Sequence, residues 1–185
     1  DTKYNEAIQQ INRLIEQQPN QPRLFESLGQ IYASQKNYTR AEEAYRKALS
    51  LDKNSLNAYG LLVQLFIEQK SVEKAIAECE NILRVDPKSV QGHTLLGMLH
   101  EARNEIEKAK GDYRNALNLD PQSPVAANNL AWQLAETGGN LDEALKLATT
   151  AREKLPESTN VADTLGWIYY RRGAYLSAVD LLKEC

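Results

Sequence analysis

The chain has 185 residues and little of what carries chemistry: two cysteines, two histidines, one methionine, two phenylalanines and two tryptophans. Two cysteines cannot build the framework that staples a small secreted domain, and they say little about redox compartment. The histidines, His93 and His100, have no cysteine or carboxylate cluster at zinc spacing beside them, so no metal site is predicted. P-loop, G-x-S-x-G and H-E-x-x-H motifs are missing, and with them any catalytic or cofactor-binding residue that a motif could single out. The sequence contains no apolar run of about 18 residues, so nothing in it spans a membrane as a helix. It shows no signal peptide or lipidation motif. With a net charge of −3 it also lacks the basic stripe that nucleic-acid binding needs.

What the chain does have is a period. Ala41, Ala75 and Ala109 fall 34 residues apart, and a larger pattern returns with them. One copy reads Phe25, Leu28, Gly29, Tyr32, then Ala41, Tyr45 and Ala48. Another reads His93, Leu96, Gly97, His100, then Ala109, Tyr113 and Ala116, closing on Pro121. A fixed period of this length is the signature of a solenoid, in which each unit completes its core by stacking on its neighbours. Leu28, Gly29 and Tyr32 share one helical face, and the glycine and alanines leave room for a paired helix.

The pattern resembles the tetratricopeptide repeat, a helix–turn–helix unit of 34 residues. Four full units are read at 22–55, 56–89, 90–123 and 124–158. Partial units flank them at 1–21, a second helix only with Ala7, Ile11 and Leu14 in core slots, and at 159–185. The resemblance covers the whole chain and implies a single all-α array of antiparallel helix pairs, wound as a right-handed superhelical solenoid. Because the chain begins and ends inside a repeat, it reads as a fragment of a longer protein. Cytoplasm and periplasm are both left open.

Local signals agree with these boundaries. Ser55, Ser89, Ser123 and Ser158 stand where a hydroxyl can cap a first helix, and Pro87, Pro121 and Pro156 stop the helix before. The fourth unit is one residue longer, and Gly138-Gly139-Asn140 is the predicted place of the insertion, between its two helices. The second unit departs most: Val63 takes the glycine slot, Ile82 a small-residue slot and Cys79 the tyrosine slot. Its helices are expected to pack less closely, with Cys79 as a small buried hydrophobe. Cys185 is the last residue.

His93 and His100 are seven residues apart on one predicted helix face, in the slots of Phe25 and Tyr32, and are read as packing residues. The other face of the first helices carries the functional expectation. In the family that face lines a concave groove that takes extended peptides or helices. One series of slots there runs Gln30, Gln64, Met98, Trp132, Trp167. A second runs Glu26, Gly60, Thr94, Asn128, Asp163, and a third Arg23, Asn57, Gln91, Val125, Asn160. Tyr170 and Arg171 follow one turn along from Trp167. The series is polar at one end and aromatic at the other. A tryptophan pair on a polar face fits an interface hot spot, where Trp, Tyr and Arg are enriched. The other reading is that both rings seal the stack; the core slots of both units are filled by other residues, which favours the first. Arg23, Gln30, Asn57, Gln64, Met98, Asn128, Trp132, Asn160, Asp163, Trp167, Tyr170 and Arg171 are therefore the expected partner-binding residues.

Family members that grip a C-terminal carboxylate do so with lysine and asparagine on this face. That clamp is not evident here: Arg23 and Arg171 are the only cations in these slots, and Glu68, Glu101 and Glu136 make the middle mildly acidic. The segments Asn128–Trp132 and Asp163–Trp167 also look like the C-terminal repeats of bacterial tetratricopeptide proteins, some of them exported lipoproteins linked to exopolysaccharide and surface-protein sorting. The expected function is a scaffold that binds a protein or peptide, without cofactor, metal or catalysis. The alternatives are a recognition arm of a larger enzyme and a self-assembly module. Ile8, Ile15, Val179 and Leu181 are expected to be left uncovered at the ends, which favours end-to-end contacts.

Overall fold

The structure is a computed structural model and describes residues 2–183. Among them are eleven α-helices and no strand, as the period requires. Cys185 lies outside the described residues. The chain divides between Pro87 and Lys88 into two compact units. The first holds α1 (Thr2–Gln17), α2 (Pro22–Ser34), α3 (Tyr38–Leu51), α4 (Leu56–Glu68) and α5 (Val72–Val85). The second holds α6 (Val90–Ala102), α7 (Ile106–Leu119), α8 (Pro124–Glu136), α9 (Leu141–Lys154), α10 (Thr159–Arg171) and α11 (Tyr175–Lys183). Within each unit, helices pair α2 with α3, α4 with α5, α6 with α7, α8 with α9 and α10 with α11.

The turn inside every pair is built the same way. One residue takes a left-handed φ, at Lys36, Lys70, Asn104, Gly138 and Gly173. The next residue's N–H then donates to the carbonyl five positions back: Asn37 to Tyr32, Ser71 to Phe66, Glu105 to His100, Gly139 to Leu134 and Ala174 to Tyr169. This is the Schellman closure, which satisfies carbonyls that the helix end leaves open. In four pairs the closing residue also starts the next helix. In the fourth full unit, Gly139 closes and the extra residue, Asn140, starts: its Oδ1 accepts from the N–H groups of Asp142 and Glu143. A Cβ at Gly139 would meet Leu134 Cδ2 at 3.0 Å and Leu134 O at 3.1 Å, so glycine is needed for the close approach.

The serine caps are only half as expected. Ser55 and Ser89 accept from the N–H groups of Ala58 and Gly92. Ser123 and Ser158 make no side-chain cap. At α8 one of the open donors is missing altogether, because Pro124 occupies the first turn.

Small residues set the packing of each pair. Ala41, Ala48, Ala75, Ala109, Ala116, Ala144 and Ala148 are wholly buried. Gly29 faces the ring of Tyr45 and Gly97 that of Tyr113. Val63 and Cys79, the corresponding pair of α4 and α5, are both buried, with bulk moved from the second helix to the first. At the N-terminal end, Leu14 is 40% exposed although its slot was read as core, because among the described helices α1 packs only on α2. Ile8 and Ile15 are half-buried. On α11, Val179 is exposed as expected, whereas Leu181 is half-buried and packs on the core of the second unit.

Candidate functional site

In the second unit, Ala126, Ala127, Leu130, Ala131, Leu134 and Ala135 bury the inward stripe of α8, and Val161, Leu165 and Ile168 that of α10. This orientation leaves Asn128 and Trp132, one turn apart, on the opposite side of α8, and Asp163 and Trp167 on that of α10. Neither tryptophan occupies the buried core; each is partly exposed. Their ring centroids are 6.3 Å apart with an interplanar angle of 35°. Trp167 stacks on Tyr170 at 5.3 Å and 19°, and Tyr170 meets Tyr175 of α11 at 5.6 Å. The Arg171 guanidinium lies 5.8 Å from the Trp167 ring centroid. Four aromatic rings thus form one continuous row.

Two clefts flank Trp132. An apolar one of about 460 Å³ is lined by Trp132, Trp167, Tyr170, Tyr175 and Val179, with Asp163 at its edge. A polar one of about 300 Å³ is lined by Glu101, Asn128, Asn129, Trp132, Asn160, Asp163 and Thr164. Under the polar cleft, Tyr113 donates its hydroxyl hydrogen to Glu101 Oε2 at 2.8 Å, and Asn129 Nδ2 donates to the Tyr113 hydroxyl at 3.3 Å. Burial, then the hydrogen bond to Glu101, raises the Tyr113 phenol far above its ordinary range. Asn128 Oδ1 and Trp167 Nε1 are enclosed and have no hydrogen-bond partner among the described residues. Leaving such an atom without a partner costs roughly 1–3 kcal/mol.

In the first unit, Arg23, Glu26, Gln30 and Asn57 line a polar cleft of about 650 Å³, together with Asp52 and Ser55. Gln30 and Gln64 line a second, of about 440 Å³, with Tyr45 and Glu68. Burial, with Glu68 adding to it, pushes the Tyr45 phenol up to about 12. By spacing alone Glu26 belongs to the open face. It is instead buried, and accepts from Ser55 Oγ at 2.9 Å and Asn57 Nδ2 at 2.7 Å. Asn57 therefore has its amide engaged within the fold. Thr94 is likewise buried and donates to the carbonyl of Val90. Met98 is 45% exposed on α6.

His100 is more than a packing residue: its Nδ1 is 2.6 Å from Asp112 Oδ2, and its Nε2 is 3.8 Å from Glu105 Oε2. Among the described residues no group of three His, Cys, Asp or Glu side chains converges as a metal ion would require. None of the described helices is long and apolar enough to cross a membrane. Sequence reasoning left Tyr175, Val179 and Asn129 out of the partner-binding set, although it expected Val179 to be uncovered. The first two lie on a second helix, outside the slots that define the face, and Asn129 stands beside a slot residue.

A family model for the tetratricopeptide repeat matches residues 2–58 and 94–159, more than half of the chain, and another for the same repeat matches residues 32–99. The chain belongs to the tetratricopeptide repeat family. Its members are generally non-enzymatic scaffolds for protein–protein interaction, and protein or peptide partners follow from that. No curated protein matches the sequence. Three solved structures illustrate the shared fold. YrrB, a TPR protein with an unusual peptide-binding site, is 21% identical with a TM-score of 0.71, over 94% of this chain and 89% of its own. MamA is 19% identical with a TM-score of 0.73, over 88% of each chain. A tetratricopeptide repeat protein from Parabacteroides merdae ATCC 43184 is 19% identical with a TM-score of 0.76, over 98% of this chain and 72% of its own. At these identities the likeness concerns the fold, an all-α helical repeat solenoid.

Proposed function

We propose that this tetratricopeptide array binds a peptide or a segment of a partner protein in the paired clefts of its second unit. The observation that carries the reading is the exposed row Trp132, Trp167, Tyr170 and Tyr175 beside a polar cleft rich in asparagine. The rings offer large, rigid contact area at small entropic cost, and the amides of Asn128, Asn129 and Asn160 offer donors and acceptors to a peptide backbone. A similarly folded protein, YrrB, has a peptide-binding site, which supports the class of ligand. The test is affinity isolation with the wild-type chain and with a Trp132→Ala/Trp167→Ala double variant. A partner held by the first and lost from a folded second variant is the expected result.

A second reading is self-association through α11. Tyr175, Leu176 and Val179 are 62%, 83% and 48% exposed, and Leu176 is not needed to line the cleft. Mass measurement across a concentration series tests it; a Leu176→Ser change is expected to lower any dimer fraction.

A further inference from the structure

The inference rests on the peptide-binding reading above and names what the peptide carries. We infer that the bound segment places an apolar or aromatic side chain in the aromatic cleft and an arginine in the polar cleft.

The lining of the polar cleft argues for a cation. Two carboxylates, Glu101 and Asp163, border it, together with three asparagines and a threonine, and no lysine or arginine does. Glu101 accepts from the Tyr113 hydroxyl, a neutral partner. Neither carboxylate has an ion-pair partner among the described residues, although the chain pairs its acidic groups elsewhere, as in Arg46–Glu78 and Lys108–Glu105. Asn128 Oδ1 adds an acceptor with no partner among the described residues. The site is therefore short of positive charge.

Arginine answers this better than lysine. Trp132 lines the polar cleft as well as the apolar one, so a cation entering there meets an indole and a carboxylate together. A guanidinium can stack on an aromatic face while its edge donates to a carboxylate; an ammonium is a hydrated point charge without an edge to donate along. The spacing follows from the shared lining. Trp132 and Asp163 belong to both clefts, so the two side chains of the ligand straddle a single indole. In an extended segment, side chains two positions apart point the same way and lie about 7 Å from each other. Arg171 is already held over the Trp167 ring, on the aromatic side, where it leaves the polar cleft uncompensated.

The experiment uses fluorescein-labelled, end-blocked nonapeptides with leucine or phenylalanine fixed at the centre. Arginine, lysine, alanine or glutamate stands two positions to either side. Anisotropy titrations of the full chain measure the affinity ratio of arginine to alanine peptides. The expected ratio is about fivefold or more, as a partly exposed carboxylate–guanidinium contact gives. It is expected to fall towards one in Asp163→Asn and to shrink with added salt. Lysine binding as tightly as arginine overturns the arginine assignment. Anchored peptides that bind equally well with alanine, or better with glutamate, overturn the inference and leave the peptide-binding reading standing. If no peptide binds, or if Trp167→Ala binds them all as wild type does, both are overturned.

Discussion

Gly29 sits directly against Tyr45: a Cβ built on the glycine would stand 2.4 Å from Tyr45 Cε1. The same relationship joins Gly97 and Tyr113, at 2.5 Å. Two other pairs reach buried packing with other residues, Val63 with Cys79 and Ala131 with Ala148. Val63 with Cys79 keeps nearly the combined bulk of glycine with tyrosine without its identity, whereas Ala131 with Ala148 is a smaller pair. The valine and the cysteine, which look like two defects in the second unit when read singly, compensate each other.

Gly97→Ala is therefore expected to destabilise the protein by about 1–3 kcal/mol, the range for overpacking a tight core. Denaturant melts measure it. A Gly29→Val/Tyr45→Cys double change, which copies the second unit, is expected to lose less than the sum of its single changes. Additive losses would contradict the compensation.

Lys36 and Lys70 hold left-handed backbone at φ 58° and 57°, where glycine stands in the corresponding turns at Gly138 and Gly173. A side chain there costs about 1–2 kcal/mol relative to right-handed backbone, and glycine's greater freedom when unfolded takes part of that back. Lys70→Gly is expected to raise stability by roughly 0.5–1 kcal/mol, read from thermal or denaturant melts.

Alkaline pH supplies a third test. The Tyr45 phenol is pushed up to about 12 from an ordinary 10, and Tyr113 is raised further in the same direction. In both, the folded chain prefers the neutral phenol. Their contribution to stability is complete below pH about 10, where the unfolded chain also keeps its protons, and is lost as pH rises through the folded values. Melts between pH 9 and 12 are expected to show falling stability, with a shallower fall in Tyr113→Phe. Spectrophotometric titration should find Tyr45 and Tyr113 ionising late.

Glu26 ties α2 to α4 through Ser55 and Asn57. Glu26→Ala leaves both groups without that partner and is expected to cost about 1–3 kcal/mol in denaturant melts.

The repeat was legible because its slots are fixed by packing: a glycine or alanine every 34 residues is a geometric demand, and prolines punctuate it. The all-α solenoid follows from that period alone. The open face was legible only in part. Asn128, Trp132, Asp163 and Trp167 could be placed by helical spacing, and the structure brings them around two neighbouring clefts. Spacing could not show that Glu26 and Thr94 turn inward to hydrogen-bond within the fold, since a polar residue in an outward slot reads as solvated. Nor could it single out Tyr175, because α11 contributes to the cleft from a second helix, outside the slots that define the open face. Ser123 and Ser158 look like Ser55 and Ser89 in sequence; whether a hydroxyl caps depends on a rotamer that sequence does not state.

The Trp132–Trp167 row is proposed here as a binding surface. The most direct measurement is a titration of the isolated native partner against the wild-type chain, Trp132→Ala, Trp167→Ala and Gln30→Ala, with circular dichroism to confirm folding. Each tryptophan change is expected to weaken binding by about 2 kcal/mol, roughly thirtyfold, as loss of a hot-spot residue does. Gln30→Ala is expected to change it little. Wild-type affinity in both tryptophan variants, with folding intact, would contradict the account and leave the rings a purely structural role.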